Sequence, residues 1–217
     1  SSSAVVNYES PYEELAESAT IGHINAVSDI DSVMRHALLY ISPENRERVY
    51  SLSCETARLY LESKGEELRL PPVNKSGYFY IPFTAGQGCY YDGISVADLI
   101  NNKIPSEFWE GKIVLIAPYA PAFQDQYFTP IDKGVQMYGV EIHANLIQCI
   151  LEGRYKSEVS DILQAILLFA ICMAAMMFFL KKSVRIGGAI LAGLVMIWAL
   201  GTMLLYKGGL ITHPLWL

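Results

Sequence analysis

The sequence predicts an α/β fold, a mixed sheet with flanking helices whose N-terminal half is incomplete, followed by at least two C-terminal transmembrane helices. Three observations predict it. The charges are segregated, with all 22 acidic residues at or before Asp161. Two long uncharged apolar runs follow that point. Ahead of it, short apolar segments of strand type alternate with helix-patterned ones, the order of an α/β domain.

Residues 1–161 hold 12 Lys and Arg against 22 Asp and Glu, a net charge of −10. The last 56 residues carry +4, from Lys181, Lys182, Arg185 and Lys207. The apolar runs at 162–180 and 186–206 are 19 and 21 residues long. A helix rises about 1.5 Å per residue, so about 20 residues cross the hydrocarbon core of a bilayer. Two such runs around a basic turn predict membrane spans, not buried core helices. They are also too long, and too far along the chain, to be a signal peptide. The turn "KKSVR" at 181–185 is a short loop rich in cations, a kind that stays cytoplasmic. The domain at 1–160 then lies outside the cell, and 207–217 form an outer loop with the start of a third span. Nothing before Ser1 exports the domain, and "GGLITHPLWL" stops inside an apolar stretch. The chain therefore reads as a piece of a longer multi-pass plasma-membrane protein.

Taken in order, "SPYEELAESA" (10–19) opens with Ser-Pro and acidic residues, a helix-start signal. "IGHINAV" (21–27) and "HALLYI" (36–41) read as strands around the turn "SDIDS", close enough to form a hairpin. "SPENRERVYSLSCETARLYLESKG" (42–65) predicts a helix with Ser42 as cap, Pro43 at the first position and Gly65 just past the end. Its apolar face is Val49, Leu52, Ala57, Leu59 and Tyr60. "LPPVNKSG" (70–77) is a loop, "YFYIPF" (78–83) an edge strand limited by Pro82, and "TAGQGCYYDG" a glycine-rich turn without a phosphate-binding fingerprint. "SVADLINN" (95–102) is a short helix capped by Ser95. "KIVLIAP" (112–118) is a continuous apolar run, the pattern of a strand buried on both faces. A long loop follows, then a helix that begins within "YGVEIHAN" (138–145). Cys54, Cys89 and Cys149 lie outside the membrane runs and Cys172 inside the first, with no metal-ligand spacing. Cys149 falls on an apolar helix face and reads as a buried free thiol. The sequon Asn74-Lys75-Ser76 has meaning only where chains are glycosylated.

"YGVEIHAN" carries Glu141, His143 and Asn145 at alternate positions. Successive helical residues turn by about 100°, so Glu141, Asn145, Gln148 and Glu152 form one polar face, while His143, Leu146, Ile147 and Ile150 form an apolar one. The three polar residues cannot chelate one metal from this helix. His143 instead faces inward, towards the loop that carries Asp125, Gln126 and Thr129. One reading makes it a pin between loop and helix. The other has Asp125, Thr129 and His143 lining a ligand crevice at the carboxyl end of the strand, where open α/β sheets bind ligands and a helix N-terminus favours an anion.

Three segments together resemble a known family, the second type of CHASE domain (cyclases/histidine kinases associated sensory extracellular). "GKIVLIAPYAPAFQDQYFTP" looks like its Gly-Lys-Ile-Val-Leu-Ile-Gly strand and the loop with Asp and Thr-Pro. "YGVEIHANLIQCIL" resembles its Pro-Gly-Val-Glu-Ile-His-Ala-Asn helix, and "GHINAVSDIDSVMRHALLYI" its Gly-x-x-Asn and Asp-x-Asp-Gly-x-x-Arg segment. The resemblance covers residues 20–160, with Ser32, Ala117 and Tyr138 departing from the family pattern. It implies an outer sensor module of a membrane receptor, coupled to an intracellular nucleotide cyclase or kinase. It names no ligand and no cofactor.

Small residues four apart in the spans, Ala170/Ala174 and Ala189/Gly193, would let helices pack closely in a homodimer. A membrane-tethered hydrolase using Asp125 and His143 lacks every recognisable motif. A net charge of −10 argues against nucleic acid as a partner. An unknown small ligand or external signal and the lipid bilayer remain as partners. The alternative reading is a membrane-anchored assembly module without catalytic output, and the segment after Leu217 would separate the two.

Overall fold

The computed structural model describes residues 11–43, 47–132, 134–181 and 184–212. The helix start at Ser10, part of the turn 181–185 and the start of a third span lie outside them. The chain divides into two units, Ser1–Tyr155 and Lys156–Leu217.

The first unit is a mixed helix and small-sheet fold. Its elements are α1 (Glu13–Ser18), β1 (His36–Leu38), β2 (Tyr40–Ile41), β3 (Val49–Tyr50), α2 (Leu52–Lys64), β4 (Tyr78–Tyr80), α3 (Val96–Ile100), β5 (Gln126–Tyr127), β6 (Met137–Tyr138) and α4 (Gly139–Leu151). The strands do not assemble into one mixed sheet. They form separate antiparallel pairs, β1 with β4, β2 with β3 and β5 with β6. The core lies between α2 and α4. Ile142, Leu146 and Ile150 recur every four residues along α4 and meet the small α2 residues Cys54 and Ala57, with Leu39, Phe79 and Ile81 from the strand layer. Small residues on one helix let the other approach, so the two apolar stripes meet.

Five expectations about this unit fail. The hairpin of 21–27 with 36–41 does not form. His23 donates its N–H to the Tyr50 carbonyl and accepts from the Leu52 N–H, so this segment is bound to the start of α2 instead. Gly22 is what allows the approach, since a Cβ there would lie 2.5 Å from the Leu52 Cα. The intervening turn is held by Arg35, which bonds Asp29 at 2.8 Å and Asp31 at 2.7 Å. The long helix starts at Leu52, not after Ser42. Ser51 caps it by accepting from the Cys54 N–H, while Val49 and Tyr50 pair with β2. Leu59, assigned to the apolar face, is 45 % exposed. Its end at Gly65 is as expected, with the Gly65 N–H donating to Glu62.

The run 112–118 is not a buried strand. Val114 and Ile116 are 45 % and 63 % exposed, and the backbone of 113–119 makes no hydrogen bond among the described residues. A strand buried on both faces needs neighbours along both edges. Each described strand of this unit pairs along one edge with another strand, and none pairs with this run. Lastly, the missing neighbours are why the single sheet is absent.

In the second unit β7 (Ser157–Glu158) leads into α5 (Asp161–Lys181), and α6 (Val184–Lys207) leads into β8 (Leu210–Ile211). β7 pairs with β8, and α5 packs on α6. The two helices are therefore antiparallel, with the start of α5 and the end of α6 tied by a short strand pair. Residues 186–207 of α6 form a 22-residue apolar helix of mean hydropathy 2.1, long enough to cross a bilayer. In α5 the stretch Asp161–Met177 is apolar but shorter.

Candidate functional site

α4 positions the polar residues of "YGVEIHAN". It starts at Gly139, directly after the β5–β6 pair brings the Asp125 segment alongside it. The Gly139 N–H donates to the Asp125 carbonyl at 3.0 Å. The Asp125 carboxylate lies over Gly139 so closely that a Cβ would sit 2.5 Å from both of its oxygens. The first turn of α4, where a bound anion was expected, thus already faces the protein's own carboxylate, in the orientation the helix dipole favours.

One turn further on, His143 is half-buried and its Nδ1 bonds Ser53 Oγ of α2 at 2.8 Å. Burial holds its pKa below the ordinary value, partly offset by the charge of Asp125. His23 is pushed down to about 4, first by burial and then by the proximity of His143. The imidazole that sequence periodicity turned inward therefore pins α4 to α2.

Asp125 and His143 line one cavity of about 310 Å³, together with Ile24, Asn25, His36 and Ile116. Thr129 does not line it. It is 3 % exposed, with its N–H donating to Asp132 and its hydroxyl buried without a partner among the described residues. Two of the three expected site residues meet at this cavity, and the third does not reach it.

The opposite face of α4 was not expected to be buried. Glu141 and Asn145 are 2 % and 1 % exposed, more deeply buried than His143. Asn145 accepts from the N–H groups of Thr84 and Ala85 and donates to the Ala85 and Glu141 carbonyls. Glu141 accepts from the Gly88 N–H, and Tyr90 donates to Gln148. The glycine-rich turn 84–91 is thus moulded onto this polar stripe. The signal for it was a polar i, i+4 pair in a chain that also offers a turn rich in unpaired N–H groups. Cys149 is fully buried, and its thiol is pushed up to about 12 by that burial. Among the described residues no three His, Cys, Asp or Glu side chains converge on a metal position.

No curated protein and no solved structure matches the chain. The CHASE2 domain matches residues 2–179, which include all of the first unit's described elements and most of α5. The segments around His36, Ile116 and α4 that frame the cavity all lie within it. With a match over most of its length, this chain belongs to the CHASE2 domain family, sensory extracellular domains of signalling receptors.

Proposed function

We propose that this chain is the outer sensory module of a membrane signalling receptor, anchored by two spans, α5 and α6, and coupled through them to an intracellular nucleotide cyclase or kinase. The observation that carries the reading is the CHASE2 match over residues 2–179, followed by an apolar helix of 22 residues at 186–207. The antiparallel pairing of α5 with α6, and the β7–β8 tie, support a hairpin whose two ends share one side of the membrane. The cations at 181–185 then face the cytoplasm.

The ligand crevice is the cavity at Asp125 and His143, which Thr129 does not line. A ligand there would touch the elements that join α2 to α4, and so bias the packing between those helices. Such a bias needs only a difference in affinity between two arrangements. Association into a homodimer through Ala170/Ala174 and Ala189/Gly193 would carry the change across the bilayer.

Labelling of Cys89 on intact cells tests the topology. Cys89 is the exposed thiol of the outer unit, whereas Cys54 and Cys149 are buried. A membrane-impermeant maleimide is expected to label Cys89 without permeabilisation. Labelling only after permeabilisation would place the domain inside the cell and end the sensor reading.

A further inference from the structure

A second cavity, of about 370 Å³, lies on the other side of the 112–117 run and belongs to neither Asp125 nor His143. Its walls are unusually aromatic, with Tyr90, Tyr91, Phe108, Trp109 and Tyr119 facing it. Tyr91 stacks on Tyr119 at 4.3 Å between ring centroids, which fixes one wall as a flat platform. At its floor is Glu141, 2 % exposed. One Glu141 oxygen accepts from Gly88, and the other, Oε2, is buried with no hydrogen-bond partner among the described residues. A carboxylate oxygen left alone in a buried position is costly, and a cationic donor relieves it. Asp92 adds a second carboxylate to the rim.

Aromatic faces attract cations, as does the carboxylate. The cavity shows this with a cation of its own. The Lys112 ammonium at its edge sits 3.5 Å from the centroid of the Phe108 ring. We propose that this cavity binds a small organic ammonium, its charged group directed at Glu141 and its apolar body against the tyrosine platform. Burial, and after it the neighbouring Glu141 carboxylate, push the Tyr119 hydroxyl up to about 12, so this wall adds no charge of its own at neutral pH. The inference goes beyond the sensor reading and does not depend on it, because binding is read on the chain itself.

The test uses the full chain in detergent, titrated calorimetrically with 2-phenylethylammonium, with 2-phenylethanol and phenylacetate as neutral and anionic counterparts. The ammonium is expected to bind at least about tenfold more tightly than either, and Glu141→Gln to weaken it by about tenfold, since a desolvated charge pair is lost. Glu141→Gln still offers an oxygen to Gly88. Should it fail to fold, Ala144→Leu decides. Ala144 lines the same cavity, and the larger side chain would fill it while leaving Glu141 in place. Loss of ammonium binding in that variant supports the proposal. Equal binding of alcohol or phenylacetate, no binding of the ammonium, or undiminished binding in the folded variants would overturn it.

Discussion

Two apolar segments of the first unit, α4 and the run 113–117, have opposite fates. In α4, Ile142, Leu146, Ile147 and Ile150 are 3–5 % exposed, while Val114 and Ile116 in the run are 45 % and 63 % exposed. The difference lies in the backbone. A helix satisfies its own N–H and C=O groups, so its apolar stripe needs only side chains to pack against. An extended run must borrow backbone partners from neighbours before its side chains can be buried. α4 finds α2, whereas 113–117 finds no strand among the described residues and leaves a cavity on each side. Hydrophobicity marks both segments for burial, and only the helix can achieve it with side-chain contacts alone.

The sharpest way to break this contrast is through the polar face of α4. Asn145 makes five hydrogen bonds, two of them accepted from backbone N–H groups of the turn 84–85 and one donated to the Met137 sulfur. Asn145→Ala removes the acceptor of two half-buried backbone N–H groups and empties a fully buried position, at about 1–3 kcal/mol for each loss. We expect a loss of about 4 kcal/mol in denaturant unfolding and faster amide exchange at Thr84 and Ala85. A loss below about 1 kcal/mol would mean that the turn is held by something other than α4.

The helix contacts are also expected to respond to pH. His23 is folded with a pKa of about 4, against 6.5 when free, and His143 is shifted the same way. Between those values the unfolded chain binds more protons than the folded one. Stability is therefore complete above pH 6.5 and declines as pH falls towards 4. For His23 alone the decline amounts to about 3 kcal/mol. Melting temperatures of wild type and His23→Gln across this range check it. The variant should show a flatter acid limb, and parallel curves would show that His23 is not the group being protonated.

How much of this was legible in the sequence follows the same division. The caps at Ser95 and Gly65 and the helix from Gly139 depend on neighbours in sequence, and they stand where the pattern puts them. The start of α2 was misplaced because Ser42 and Ser51 are equally good caps locally. What selects Ser51 is the contact of Gly22 and His23 with Leu52, about thirty residues away. The pairing of β1 with β4 is equally non-local. Helical periodicity separated Glu141 and Asn145 from His143, as the structure does, but periodicity cannot say what covers a polar face. That a glycine-rich turn covers this one is decided by hydrogen bonds across about sixty residues of sequence. Of the expected crevice, Asp125 and His143 share a cavity and Thr129 stands apart, because its backbone is drawn to Asp132.

The smallest effect is the most discriminating. Ile116 is 63 % exposed, its backbone makes no hydrogen bond among the described residues, and it lines both cavities. A side chain in that position has little burial to lose, so Ile116→Ser is expected to change unfolding free energy by no more than about 0.5 kcal/mol. The matched substitution Ile142→Ala in α4, where exposure is 4 %, should remove about 2–5 kcal/mol. If Ile116→Ser instead costs more than about 2 kcal/mol, Ile116 is packed in the protein under study, and its neighbours must come from outside the described residues. The run would then be a strand with its partners in place, and the contrast with α4 would vanish. A small effect leaves the run as an apolar wall between two open cavities, each free to take a ligand.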